Sequence, residues 1–416
     1  MEHQDSGNSR KNSGTLWAQP WMYRESFIIV LLILALSVLL GILTEGRDIP
    51  AFTAPYHIFI GAGFVLLLVF FSIFYRNKPF IQWLSGQPAA LSAIILYALV
   101  LLVMVLLPQD RTYKQAIVML SGLSHIKTSW LFLLTNLFFL TTLGMVAIRR
   151  CFPFSARNFG FFLSHFGLFL ALLAATLGSG NIQRLEINLL KEGNESNIGV
   201  SKDGEMVKLP FALRLLDFTI EEYNPRLALM DMHSGHYITF NGRDFPMVEK
   251  GLKTTLGNWR IEITDYMPQA IFKDSTFVIS NKPGSYMAVY VKAISGRDTM
   301  KGWVSNGSYL QNSLYLPLDS TQRLVLTKPE PRKYSALVEV MKDSLKTDTA
   351  TIEVNKPYTV KGWKIYQVGY DQSKGKWSNL SVLEAIKDPS LPLVYTGFFM
   401  VMAGVVSLLL IGKFRL

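Results

Sequence analysis

The stretch GFFLSHFGLFLALLAATLG (160–178) is apolar enough to cross a bilayer, yet it carries an imidazole at His165. An unpaired polar group in hydrocarbon costs several kcal/mol, so an ionisable residue in such a run is a functional candidate by default. His57 stands near the start of another apolar run, and His125 in the loop before Trp130. His233 and His236 share the polar segment DMHSGH. Their His-x-x-His spacing suits a metal, but two imidazoles are too few for a structural zinc site, and surface histidines are the simpler reading. The single cysteine, Cys151, closes an apolar run and reads as a small packed hydrophobe.

Other chemistry is missing from the text of the sequence. There is no H-E-x-x-H, no G-x-S-x-G and no P-loop, which leaves no hydrolase or nucleotide motif. There is no C-x-x-C-H, so the chain is not itself a c-type cytochrome. With Cys151 alone, the long polar segment has neither a disulfide nor a thiol relay.

The elements that must position these residues follow from composition. Half of the 416 residues are hydrophobic and only 17% are charged, and the apolar residues are clumped. A bilayer core about 30 Å thick needs about 20 apolar residues of helix. Six stretches qualify: 26–44, 56–75, 88–107, 130–148, 159–178 and 391–412. The expected fold is a polytopic α-helical membrane protein with six transmembrane helices and one large extracytoplasmic domain. Its parts are a tail over 1–25, two helices over 26–75, three helices over 88–178, the domain over 179–390, and a last helix with a short tail over 391–416.

Lysine and arginine in the short loops set the expected orientation. One side collects Arg10, Lys11, Arg24, Arg76, Lys78, Arg149, Arg150, Arg157, Lys413 and Arg415, the other only Arg47, Arg111, Lys114 and Lys127. The N-terminus is then cytoplasmic, the domain lies outside, and the first span is a retained anchor rather than a cleaved signal peptide. The net charge of +11 reflects this bias and gives no reason to invoke nucleic acid.

The segment 179–390 reads as β-rich. Strand-like runs include 211–223, 259–266, 285–294, 322–327, 335–341 and 363–371, punctuated by Asn-Gly, Pro-Gly and Lys-Gly pairs. LGNWRIEITDY and VKGWKIYQVGY look alike, as a weak internal repeat or as two strands obeying the same turn rules. No catalytic constellation stands out, so the domain reads as a binding or positioning surface.

Several segments together resemble the ResB-like proteins of System II cytochrome c biogenesis. In the membrane part these are SAIILYALVLLVMVLLPQ (92–109), SWLFLLTNLFFLTTLGMVAIRRC (129–151) and SHFGLFLALLAATLG (164–178). In the polar part they are LPFALRLLDFTIEEYNP (209–225), PRKYSALVEV (331–340), NKPYTVKGWKIYQVGYD (355–371) and, before the last span, DPSLPLVYTGFFMVMAGVV (388–406). The pair of spans over 26–75 departs from the minimal family pattern.

The resemblance implies a subunit that works with a CcsA/ResC-type membrane protein in the inner membrane. Together they would carry haem b to the periplasmic face and join it to the Cys-x-x-Cys-His thiols of apocytochrome c. Such a chain acts within a holocytochrome c synthase rather than as an enzyme alone. None of the eight tryptophans forms the partner's haem-binding segment, so the partner is expected as a separate polypeptide. Thioether formation needs reduced thiols and reduced haem, so thiol-reducing proteins are implied as well.

The resemblance places a transmembrane haem ligand at His165. On the expected topology it lies roughly 9 Å from the cytoplasmic edge. Gly160, Ser164, Gly167, Ala171, Ala174 and Gly178 form a small-residue stripe suited to close helix packing, and His165 lies about 100° off it. Either the imidazole faces haem at the partner interface, or it hydrogen-bonds a neighbouring helix and does nothing more. His57 is the other membrane candidate, lining an outer site or resting at the interface beside Tyr56. It lies near the opposite face, roughly 20 Å away along the normal, so the two cannot share one iron. The rival function is a membrane-anchored sensor or transporter accessory whose outer domain binds a ligand or protein, with no haem role.

Overall fold

The computed structural model describes residue 17 and residues 19–110, 115–151, 155–239, 244–343 and 346–413. Arg10, Lys11, Arg111, Lys114 and Arg415 lie outside the described residues. The chain divides into two compact units, one of Met1–Ile182 with Asp388–Leu416 and one of Gln183–Lys387.

The first unit is helical. Its long helices are α1 (Tyr23–Leu43), α2 (Tyr56–Phe74), α4 (Gln87–Leu106), α6 (Trp130–Cys151), α7 (Ala156–Gly178) and α8 (Leu391–Lys413). Two short helices, α3 (Pro79–Leu84) and α5 (Ala116–Leu120), lie in the connections. The six long ones are apolar enough to cross a membrane, as the lengths of the apolar runs require. Proline opens α3 and also stands in the first turn of α4, where its missing N–H goes unneeded.

Polar side chains tie the helices together near their ends. The Trp83 indole donates to Ser26 Oγ at 2.8 Å, and Arg149 donates to the Gln82 carbonyl and to Ser85 Oγ. At the other end the Trp130 indole donates to Thr44 Oγ1, and the Asn181 side chain accepts from the Ala54 amide. Arg149, Arg150, Arg76 and Lys78 thus gather at one end of the bundle. The pair α1 and α2 is built into it: Leu68 is buried beside Gly144 of α6, and Phe64 stacks on Phe169 of α7.

The closest helix pair is α7 with α8. The stripe Gly160, Ser164, Gly167, Ala171 meets Gly397 and Gly404 of the last span. A methyl group on Gly397 would stand 2.5 Å from the Gly167 carbonyl oxygen, and one on Gly167 2.6 Å from the Gly397 carbonyl. Backbone therefore lies directly on backbone, as small-residue seams allow.

The second unit is built of strands. First come β1 (Gln183–Leu190), β2 (Ser196–Val200), β3 (Met206–Glu222), β4 (Leu227–Asp231) and β5 (Lys253–Leu256). Next are β6 (Trp259–Lys273), β7 (Thr276–Ile279), β8 (Tyr286–Ser295), β9 (Asp298–Ser305), β10 (Leu316–Pro317) and β11 (Gln322–Leu326). The last are β12 (Pro331–Asp343), β13 (Lys346–Glu353), β14 (Tyr358–Val360), β15 (Trp363–Tyr370) and β16 (Leu380–Lys387). They form an eight-stranded sheet in the order β13-β12-β3-β2-β1-β16-β15-β14, a three-stranded sheet β10-β11-β4, and a sheet β5-β6-β8-β9 with β7 on β6.

In β3, Leu209, Phe211, Leu213 and Leu215 point into the core, after which Phe218 and Ile220 do. The switch from odd to even positions falls where the register with β12 slips, between the Asp217–Leu337 and Leu215–Val338 pairs. The extra residue of a bulge restores the apolar face that a strict period of two would have lost. The two similar segments are hairpin openings in different sheets. Leu256 pairs with Trp259 across Gly257-Asn258, and Val360 with Trp363 across Lys361-Gly362, with both tryptophans buried. Lys361 and Gly362 both hold positive φ, as the tightest hairpin turns require. Shared turn rules account for the likeness.

The α7–α8 seam generates a test. Gly404→Ala drives a methyl group into the Ser164 backbone and should cost about 1–3 kcal/mol. Gly63→Ala on α2 meets nothing within 4 Å and should be neutral or slightly stabilising. Thermal unfolding of the two variants in detergent checks the contrast.

Candidate functional site around His165

The Ser155 hydroxyl caps the start of α7 by accepting from the Asn158 amide. The helix begins three residues before the apolar run, so His165 lies two and a half turns inside it, roughly 13 Å from the first residue. Its ring is held by its own helical turn. Nδ1 lies 3.0 Å from the Phe161 carbonyl oxygen and 3.1 Å from Ser164 Oγ, while that hydroxyl donates to the same carbonyl at 2.9 Å. A carbonyl only accepts, so the proton sits on Nδ1 and the lone pair on Nε2. Nε2 has no hydrogen-bond partner among the described residues.

An aromatic contact fixes the ring plane. Phe161, one turn earlier, stacks on the imidazole with centroids 3.7 Å apart and planes 18° from parallel. The Arg150 guanidinium, near the end of α6, lies over the same phenyl ring at 4.9 Å. Tautomer and ring plane are thus both set inside a half-buried stretch of helix, which is what preorganises a nitrogen ligand. A neutral imidazole offering Nε2 suits a haem iron, and one such nitrogen makes half of an axial pair. Sequence reasoning placed His165 but missed the parts played by Phe161, Ser164 and Arg150. The i, i+4 spacing of Phe161 and His165 was the available signal.

The other histidines fall elsewhere. His57 is in the first turn of α2, half-buried, with Nδ1 buried and without a hydrogen-bond partner. Gly61, one turn on, faces Leu177 near the end of α7. Leu177 is twelve residues beyond His165, roughly 18 Å along the helix, so the two imidazoles stand at different levels of the bundle. His125 is buried beside Ser124, whose Oγ lies 3.1 Å from its Nδ1. Cys151 is half-buried as the last residue of α6.

His233 and His236 are exposed in a turn organised by Asp231, whose carboxylate accepts from the amides of His233 and Ser234 and from the Ser234 hydroxyl. Those bonds hold the Asp231 carboxyl below its usual range. No group of three or more metal-ligating side chains occurs among the described residues. The double variant His233→Ala/His236→Ala should change stability by no more than about 0.5 kcal/mol. Unfolding curves with and without added zinc check this, and a zinc-dependent shift confined to the parent protein would reinstate a metal loop.

Comparison with known proteins bears on the strand-built unit most. No curated protein matches the chain. Among solved structures it is similar to the cytochrome c haem lyase CcmF, at 12% identity and a TM-score of 0.21, over 85% of this chain and 45% of that one. The chain thus spans less than half the length of that protein. Residues 304–382 match the profile of the ResB-like family, a run from the end of β9 into β16 that takes in the segments 331–340 and 355–371. Over those residues the chain is similar to the ResB-like family, as the segments 331–340 and 355–371 led one to expect.

Proposed function

We propose that this chain is a subunit of a System II cytochrome c maturation complex in the inner membrane. It would work with a CcsA/ResC-type partner to bring haem b to the periplasmic face for attachment to apocytochrome c. Its N-terminus would be cytoplasmic and its strand-built domain periplasmic, in line with the basic residues gathered at one end of the bundle. The observation that carries the reading is the His165 imidazole. It is held at Nδ1 and open at Nε2 within a membrane-length helix, in a chain with a ResB-like segment.

Haem iron accepts an imidazole nitrogen on each face. The residues of this chain would do three things. His165 Nε2 would supply one axial position, while the Phe161 carbonyl and Ser164 would hold the proton on Nδ1. The Phe161 ring would keep the imidazole plane fixed as the cargo binds and leaves. The second axial position would belong to the partner, because His57 lies at another level.

The test is copurification with the membrane partner and measurement of the haem absorption bands. His165→Ala should lose most of the bound haem and lower the cytochrome c yield, and added imidazole should restore part of both. His57→Ala should keep the bands. An unchanged spectrum and yield in His165→Ala would overturn the ligand assignment, and loss with His57→Ala alone would move the ligand to the other end of the bundle.

A further inference from the structure

A polar recess in the strand-built unit offers a second site, independent of any role for His165. It has a volume of about 230 Å³ and lies where the start of β8, the loop after β9, the 327–330 linker and the turn after β15 converge. Its walls include Ser285, Tyr309, Lys328, Lys376 and Trp377, with Glu222 at the end of β3. The volume suits one amino-acid residue or a small acid and is too small for a macrocycle.

Three observations point to a ligand, and the lysines among them to an anion. First, Ser285 is 1% exposed and its hydroxyl has no hydrogen-bond partner. A buried hydroxyl without a partner is costly unless a ligand or water meets it. Second, Lys328 has no ion-pair partner among the described residues and Lys376 has only the longer-range attraction of Glu222, whereas nearby Lys374 reaches Asp371 and Asn379. The Lys376 ammonium lies 5.5 Å from the centre of the Trp377 ring, and burial holds its pKa below the usual lysine range. Third, the recess is fixed in place. The Trp377 indole donates to the Ser285 carbonyl at 2.9 Å, and the Asn306 side chain accepts from the Met287 amide at 3.0 Å.

Glu222 narrows the choice of anion. Its carboxyl is pushed up by burial, and it shares the recess with the two lysines. A dianion would meet that negative group, whereas a monoanionic carboxylate balances the lysines with less repulsion. We infer that the recess formed by Ser285, Lys328 and Lys376 binds a carboxylate, carried by an acidic residue of a peptide or by a small free acid. The Trp377 and Tyr309 rings would pack against the carbon atoms bearing it.

Calorimetry on the full chain in detergent separates the sources. The probes are acetyl-Gly-Asp-Gly-amide, its Asn counterpart and propionate. The Asp peptide or propionate should bind, and the Asp peptide, if it binds, should do so about tenfold tighter than the Asn peptide. Peptide binding without propionate binding assigns a protein ligand, and the reverse assigns a free acid. Lys328→Gln and Lys376→Gln should each weaken binding about tenfold, and Ser285→Ala severalfold, while Lys301→Gln on exposed β9 should leave it unchanged. Lys328 is exposed, so its variant keeps the fold. No heat from either acid up to about 10 mM, or equal binding by the parent and the lysine variants, would overturn the assignment.

Discussion

Two helix backbones come into contact only where at least one of the facing residues lacks a side chain, and the α7–α8 pair is built on such a place. Gly167 on α7 and Gly397 on α8 present their carbonyls to each other's α-carbons, and Gly404 lies against Ser164. Within hydrocarbon there is little hydrophobic gain from pairing helices, so close packing along such a seam must supply the attraction. The seam also fixes the rotation of α7 about its axis. With Gly160, Ser164, Gly167 and Ala171 committed to α8, the face of α7 bearing Phe169 and Thr176 is left for α2 and α6, where Phe64 and Asn136 meet them. His165 is turned about 100° from Ser164, and its orientation follows from that rotation.

The same economy governs the polar groups of this unit. Trp83 with Ser26, Trp130 with Thr44 and Asn136 with Thr176 are each paired within the bundle. His165 obeys the rule at Nδ1 by using the carbonyl of its own preceding turn, which demands nothing of a neighbouring helix. Nε2 is left open, and among the described residues the buried His57 Nδ1, Thr135 Oγ1 and Asn136 Oδ1 also lack a partner. A residue that merely braced a helix contact would aim its second nitrogen at another helix, so the local solution at Nδ1 separates holding the ring from using it.

Much of this was legible in the sequence. Each apolar run became a helix within a few residues of the expected bounds, because the length needed to cross hydrocarbon is a hard constraint. The runs at 259–266, 322–327 and 363–371 became strands because alternation and turn residues agreed there. The bulge in β3 was not legible, since Leu215-Leu216 reads as a plain apolar pair until its partner strand shows which residue is skipped. At the candidate site, an imidazole in an apolar run was visible at once. Ser164 was read only as a stripe member, although it serves both the seam and the Nδ1 proton. The carboxylate recess left no linear trace, because Ser285, Lys328 and Lys376 meet only through strand order.

The pairing of β1 with β16 sets Gln183 opposite Lys387, so the first and last residues of the strand-built unit are neighbours in one sheet. In the helical unit Gly178 rests against Ser390, a few residues to either side of the same two points. Holding the ends of a segment of that length together costs about 5 kcal/mol in chain entropy. Once the sheet has zipped, its ladder meets that cost, and the last helix is tethered at high effective concentration beside α7. The domain thus closes the chain between α7 and α8 into a loop whose two ends are held side by side, so the glycine seam joins helices whose facing ends are already neighbours.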